Sequence, residues 1–208
     1  MTRLTQLSRS IEGKVALITG SGSGMGKATS YVFAEAGAKV VLSDINKEQI
    51  DEVATEINSV KGICFKQIMD VTSQENINEA VSNIIKEFGR LDILINNAGI
   101  SIASPIDDKN FEENWDTTFD VLLKGQVNLI RAALPFLRKS DCGRIVNISS
   151  TEGFGATPRI SAYTSAKHGV IGLTRSLAAE LGSEGITVNC ICPGPINTAM
   201  TASIPNED

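Results

Sequence analysis

A chain of 208 residues, 42% of them hydrophobic, fits one ordinary domain and can bury a full core without disulfides or a structural metal. A formal net charge of −5 and a pI near 5.0, with no basic run, argue against a surface built to neutralise phosphates, so no nucleic-acid partner is expected. Four irregularly spaced cysteines, one histidine and no apolar run near the ~20 residues of a bilayer span point to a reduced, cytoplasmic protein with no membrane partner and no metal.

Residues 1–10 carry two arginines and no acid and are expected to form a short solvated arm ahead of a single domain over 11–208. "KVALIT" (14–19) is an apolar run of strand formers closed by a glycine cluster, and a helical pattern follows from Met25 to Ala36. "AKVVLSD" (38–44) repeats the strand signal, and 46–60 places Ile50, Val53 and Ile57 on one helix face. The alternation continues with "GICFKQIMDV", a helix over 74–88, "LDILINNAG", a long helix over 111–138, "GRIVNISS", a helix over 162–182 and "GITVNCICPG". Cys190 and Cys192 share one face of that last strand among apolar neighbours and are expected to be buried small hydrophobes rather than metal ligands.

Six apolar strands separated by helices imply an α/β fold with a doubly wound parallel sheet flanked by helices. Ligands of such sheets collect beyond the carboxyl ends of the strands, so the loops after residues 19, 43, 69, 95, 149 and 192 should face one crevice. The first loop, "TGSGSGMGKA", offers Gly20, Gly22, Ser23, Gly24, Met25 and Gly26 between a strand and a helix. Glycines there let a pyrophosphate approach the backbone and leave the helix N-terminus open to an anion. Asp44 ends the second strand about twenty residues on, where a carboxylate accepts from a ribose hydroxyl and repels a 2′-phosphate. With no cation at Ser23 or Ile45, NAD(H) is preferred over NADP(H); Lys27 is expected to be exposed rather than phosphate-binding.

"YTSAK" (163–167) sets a phenol and an ammonium one helical turn apart, and a fixed ammonium moves a phenol with a reference pKa near ~10 toward the working range. Ser150, thirteen residues before Tyr163 at the end of the fifth strand, can hydrogen-bond a substrate oxygen. With "TGSGSGMG", "DV" at 70–71, "NNAG" at 96–99, "IVNISS" and "PGPINT", the chain resembles the short-chain dehydrogenase/reductase family from about Gly13 to Thr198.

The resemblance implies a Rossmann-type fold, with Tyr163 as general acid/base, Lys167 lowering its pKa and binding the nicotinamide ribose, and Ser150 orienting the substrate oxygen. It places Asp70 and Val71 around adenine, Asn97 along the cofactor edge, and Ile196 and Thr198 at the carboxamide, with Asn96 tying neighbouring strands. Tyr163 and Lys167 thus count as cofactor-binding as well as catalytic. His168, about 100° around the helix, is assigned to packing or solvent. Ser101, Glu152, Phe154 and Pro195 are expected to border the substrate space.

Two departures stand out. Leu122 occupies the place where relatives carry an asparagine that holds a water in the proton path; the relay is expected to be broken, dispensable, or rerouted through Thr118 and Gln126 one turn away on the same helix face. Relatives also continue past the Pro193–Gly194 motif into a substrate lid and a seventh strand. The sequence ends at Asp208, so lid and strand are expected to be missing or truncated, and the alcohol is unreadable. The family pattern implies a homodimer through 111–138 and 162–182, with a tetramer as an extension. The activity implied is NAD-dependent interconversion of a secondary alcohol and a ketone. The alternatives are a 3-oxoacyl-thioester reductase, against which Asp44 argues, and a catalytically impaired NAD(H)-binding protein acting as sensor or partner subunit.

Overall fold

The computed structural model describes residues 10–198, 200 and 201. Residues 1–9 of the expected arm and the stretch 202–208 lie outside the described residues. Six strands form one sheet in the order β3-β2-β1-β4-β5-β6, all pairs parallel: β1 (Val15–Thr19), β2 (Lys39–Asp44), β3 (Ile63–Ile68), β4 (Ile93–Asn96), β5 (Arg144–Ile148) and β6 (Thr187–Ile191). Central β1 and β4 are buried along their whole length, as near-continuous apolar runs must be when helices cover both faces.

One face packs Ala16, Ile18, Val40 and Leu42 under α1 (Gly24–Glu35) and α2 (Lys47–Ser59). The other packs Leu17, Leu94 and Ile145 under α3 (Gln74–Phe88), a broken helix spanning α4 (Phe111–Phe119) and α5 (Gly125–Leu137), and α6 (Ser161–Leu181). Because β1 is flanked by β2 on one side and β4 on the other, the chain reverses its winding there. The crevice at the carboxyl ends of β1 and β4 is where the fold leaves room for a ligand.

The expected single helix over 111–138 is interrupted by a π-helical turn, Asp120–Lys124. Gly125 accounts for the close approach that accompanies it: a Cβ at this position would lie 2.8 Å from the Val71 carbonyl oxygen, so only glycine lets the helix sit against the loop after β3.

The expectation of buried cysteines in the last strand also needs correction. β6 is the sheet edge among the described residues and alternates exposed and covered positions; Cys190 on it and Cys192 just beyond it are half-buried free thiols, their sulfurs in hydrogen-bonding contact at 3.9 Å.

At the end of the sheet opposite the crevice, Asp92 is fully buried and accepts from the Val15 N–H, Arg90 and Ser140, while Lys14 and Arg90 pair with Asp141. Burial pushes the Asp92 carboxyl upward, but the hydrogen bonds from Arg90, Ser140 and Val15 outweigh it and hold it below the usual range. β1, β4 and the start of β5 are thereby clamped far from the crevice. No described helix is long and apolar enough to cross a membrane.

Candidate active site

All six strand-end loops contribute to one cavity of about 330 Å³. It is lined by Gly20, Ser23, Gly24, Met25, Asp44 and Gln49, with Asp70 and Val71, and beyond β5 by Ser150 and Tyr163; Ile196 and Thr198 also line it, and Thr198 lies against the glycine loop, its Cγ2 3.2 Å from where a Cβ on Gly24 would stand. Asn97 lines it as well.

The glycine loop is built as a cradle. Gly20 and Gly24 hold positive φ (64° and 51°), and a Cβ at Gly26 would lie 2.0 Å from the Gly20 carbonyl oxygen, so α1 can start this close to β1 only with glycine there. Gly26 therefore packs the helix onto the loop and does not itself line the cavity, although it was a candidate contact.

Ser23 precedes α1 without capping it through its side chain, and no acidic residue occupies the first turn. The N–H groups and positive end of the dipole are left toward the cavity, which fits a pyrophosphate. Asn97 secures the loop from β4: its backbone N–H donates to Thr19 Oγ1 (3.0 Å), while its side-chain amide donates to the carbonyls of Thr19 (2.9 Å) and Gly20 (3.2 Å).

Asp44 is fixed by the N–H groups of Gly22 and Asn46, each 3.0 Å from one carboxylate oxygen. Lining lone pairs remain for hydroxyl donors. Among the described residues the cavity lining contains no lysine, arginine or histidine; its charged side chains are Asp44 and Asp70. Lys27 instead pairs with Glu56 on α2, 3.5 Å away, as a cation with no role in the loop.

Beyond β5, Ser150 starts a short 3-10 turn, Thr151–Gly153, and α6 brings Tyr163 to the same cavity. Lys167 lies beneath rather than in the cavity, 5% exposed, with Nζ donating to the Ile148 carbonyl (2.8 Å) and standing 5.4 Å from the Tyr163 ring centroid. Burial pulls its pKa down to about 8, against a smaller opposing influence of Cys190 and Cys192.

Tyr163 is pushed above the usual phenol value, by burial first; a hydrogen bond with Ser150 acts to lower it and the Glu152 charge to raise it. The anticipated lowering by Lys167 is thus not the dominant effect, because the ammonium faces the ring and bonds to a carbonyl instead of meeting the phenolic oxygen. The structure nevertheless brings Ser150, Tyr163 and Lys167 together.

Asn96 donates to Asn147 on the next strand (2.8 Å), and Asn147 donates to Thr174 of α6 (3.0 Å), a buried polar chain linking two strands to the helix of the phenol. His168 is exposed, with Nδ1 3.0 Å from the Thr164 carbonyl. Of the four residues expected to border substrate, none lines the cavity among the described residues; Glu152 is turned toward Thr157 and toward Thr164 of α6. Sequence reasoning missed Gln49, Ile100 and Val121, apolar or neutral side chains with no motif to mark them.

Leu122 is fully buried in the π turn beside Gly99. Thr118 spends its hydroxyl on the Asn114 carbonyl (2.6 Å), while the buried Gln126 amide has no hydrogen-bond partner among the described residues. Leu122→Asn is expected to raise turnover while lowering stability by about 1–3 kcal/mol through an unpaired buried amide. Steady-state kinetics beside a thermal melt checks this; an unchanged or lower rate with intact cofactor affinity would count against the relay argument.

A family model described as short chain dehydrogenase matches residues 14–208. The chain is 40% identical over 197 residues to the 3-oxoacyl-[acyl-carrier-protein] reductase FabG of Thermotoga maritima, covering 95% of this chain and 80% of that protein. It is 43% identical over 201 residues to the (2S)-[(R)-hydroxy(phenyl)methyl]succinyl-CoA dehydrogenase subunit BbsD of Thauera aromatica, covering 95% and 79%. Among solved structures, a short chain dehydrogenase from Mycobacterium smegmatis superposes with a TM-score of 0.84 at 34% identity, over 89% of this chain and 78% of the other.

Proposed function

The chain belongs to the short-chain dehydrogenase family of oxidoreductases, and on that premise we propose that it interconverts a secondary alcohol and a ketone with NAD(H), Tyr163 acting as general acid/base. The observation that carries this reading is the single cavity, with a phosphate cradle and Asp44 at one end and Ser150 and Tyr163 at the other. When bound, the nicotinamide cofactor supplies hydride acceptance or donation. Gly20, Ser23, Gly24 and Met25 would hold its phosphates, Asp44 a ribose, Asp70 and Val71 the adenine, and Asn97, Ile196 and Thr198 the nicotinamide end, with Lys167 reaching the second ribose.

In this reading the alcohol oxygen sits between the Ser150 and Tyr163 hydroxyls. Ser150 donates to it and fixes its direction; Tyr163 takes its proton on oxidation and returns one on reduction. The phenol is disfavoured as an anion by its burial, so Lys167 serves by placing positive charge under the ring as the proton leaves.

NAD is favoured over NADP because a 2′-phosphate beside Asp44 would meet a carboxylate and no cation. Asp44→Ala is expected to raise the KM for NAD about tenfold, the loss of a hydrogen bond to a charged group, and to lower that for NADP. The test of the whole reading is a screen of alcohols and ketones with NAD and NADP, followed by the absorbance of the reduced cofactor. Hydride transfer confined to NADP, or none with any compound, would reject it.

A second reading, a 3-oxoacyl-thioester reductase, is supported by the name of the Thermotoga relative and opposed by Asp44. A third, an impaired NAD(H)-binding sensor or partner subunit, is supported by Leu122 alone. We further propose a cytoplasmic homodimer packed through 111–138 and α6. The partly covered row Phe111, Trp115 and Phe119 on α4, with ring centroids 5.8 and 4.7 Å apart, is an apolar stripe suited to a second copy.

A further inference from the structure

One glutamate touches both loops that carry the reacting hydroxyls. The Glu152 N–H donates to Ser150 Oγ (3.2 Å), its Oε2 accepts from Thr164 Oγ1 (2.9 Å), and its Oε1 accepts from Thr157 Oγ1 (2.7 Å). Thr164 follows Tyr163 in the first turn of α6. We propose that Glu152 is a positioning residue for the reacting pair, a brace that locks the turn after β5 to the turn of α6 bearing the phenol; this rests on the assignment of Ser150 and Tyr163 above.

Three features of the geometry support the brace. The turn that carries it packs directly on α6: a Cβ at the neighbouring Gly153 would lie 2.5 Å from Ile171 Cδ1 and 3.1 Å from the Lys167 carbonyl oxygen. The N–H of Glu152 occupies a lone pair of Ser150 Oγ and leaves the serine proton free to point at another oxygen. Both carboxylate partners are hydroxyls that donate, and a carboxylate accepts at both oxygens, whereas an amide accepts at one.

A second consequence is electrostatic. The half-buried Glu152 carboxylate acts against ionisation of the Tyr163 phenol. Facing this region are also Lys167 on α6 and, acting on that lysine, Cys190 of β6 and Cys192 just beyond it. From α4 and the π turn, Glu112, Glu113 and Asp116 are exposed and Asp120 pairs with Lys124; Arg159 and His168 are exposed. Glu152 is the carboxylate whose charge registers on the phenol.

The chain has two tyrosines, so in a Tyr31→Phe background Tyr163 is the sole phenol and can be titrated by ultraviolet difference spectroscopy without any substrate. Adding Glu152→Gln is expected to lower the phenol midpoint by about half a pH unit. The acid limb of the kcat/KM profile should move the same way. Thr164→Val keeps the charge and the side-chain shape but removes one strut; turnover should fall several-fold while the KM for NAD holds.

An unmoved phenol midpoint in the Glu152→Gln protein, or wild-type turnover in Thr164→Val, overturns the brace. Absence of hydride transfer in the parent protein would instead sink the dehydrogenase reading, and the spectroscopic titration would still decide for or against Glu152.

Discussion

Tyr163→Phe is expected to leave a folded protein that binds NAD as tightly as the parent and turns over at least ~10²-fold more slowly. The substitution keeps the ring that stands 5.4 Å from Lys167 Nζ and removes the one group placed to exchange a proton. Because burial holds the phenol above its usual value, the residue is neutral at pH 7 and its loss alters no charge in the folded state. Ser150 alone offers no base of comparable strength, so no substitute is at hand within the cavity. Steady-state rates beside a cofactor binding titration measure both parts. Turnover close to the parent's would remove Tyr163 from the chemistry, and weakened NAD binding with a normal rate would reassign it to cofactor contact.

Lys167→Met is expected to cost turnover by ~10²-fold or more while leaving the fold as stable as before or more so. Burial lowers the lysine pKa from 10.5 in an ordinary setting to about 8. Below pH 8 the amine is protonated in both states, and holding it charged in the interior destabilises the native protein by about 3 kcal/mol. Between about pH 8 and 10.5 the unfolded chain still binds the proton that the native state has shed, so this group makes stability rise with pH across that window.

Methionine removes the penalty but leaves the Ile148 carbonyl without its donor, which offsets about 1–3 kcal/mol of the gain. Thermal melts of both proteins from pH 7 to 10 test this. The parent should gain on the variant as pH rises, and parallel curves would show that Lys167 is not the titrating group.

Much of this site was readable in the chain because its determinants are local. Gly20 to Gly26 lie between a strand and a helix, Asp44 ends the next strand, and Tyr163 and Lys167 are one turn apart; each needs only the register of its own element. Helix 74–88 was legible to the residue, since Ser73 caps it with a side-chain bond to the Asn76 N–H and Gly89 ends it in the left-handed conformation.

What depended on distant partners was not legible. The π turn at Asp120–Lys124 accompanies the contact of Gly125 with Val71, fifty-odd residues away in a separate loop. That Cys190 and Cys192 are only half-buried follows from strand order, which local pattern does not encode. Glu152 looked like a substrate neighbour from its place after Ser150; only the return of α6 shows that it faces Thr157 and Thr164. Nor did spacing reveal that Lys167 would point at the Ile148 carbonyl beneath the cavity.

The chain of amides from Asn96 through Asn147 to Thr174 has a consequence for how such a protein can diversify. It joins β4 and β5 to the helix that carries phenol and amine through bonds in which the surface stretch 106–110 takes no part. That stretch can change length and character without disturbing the bonds that hold the side chains that move the proton.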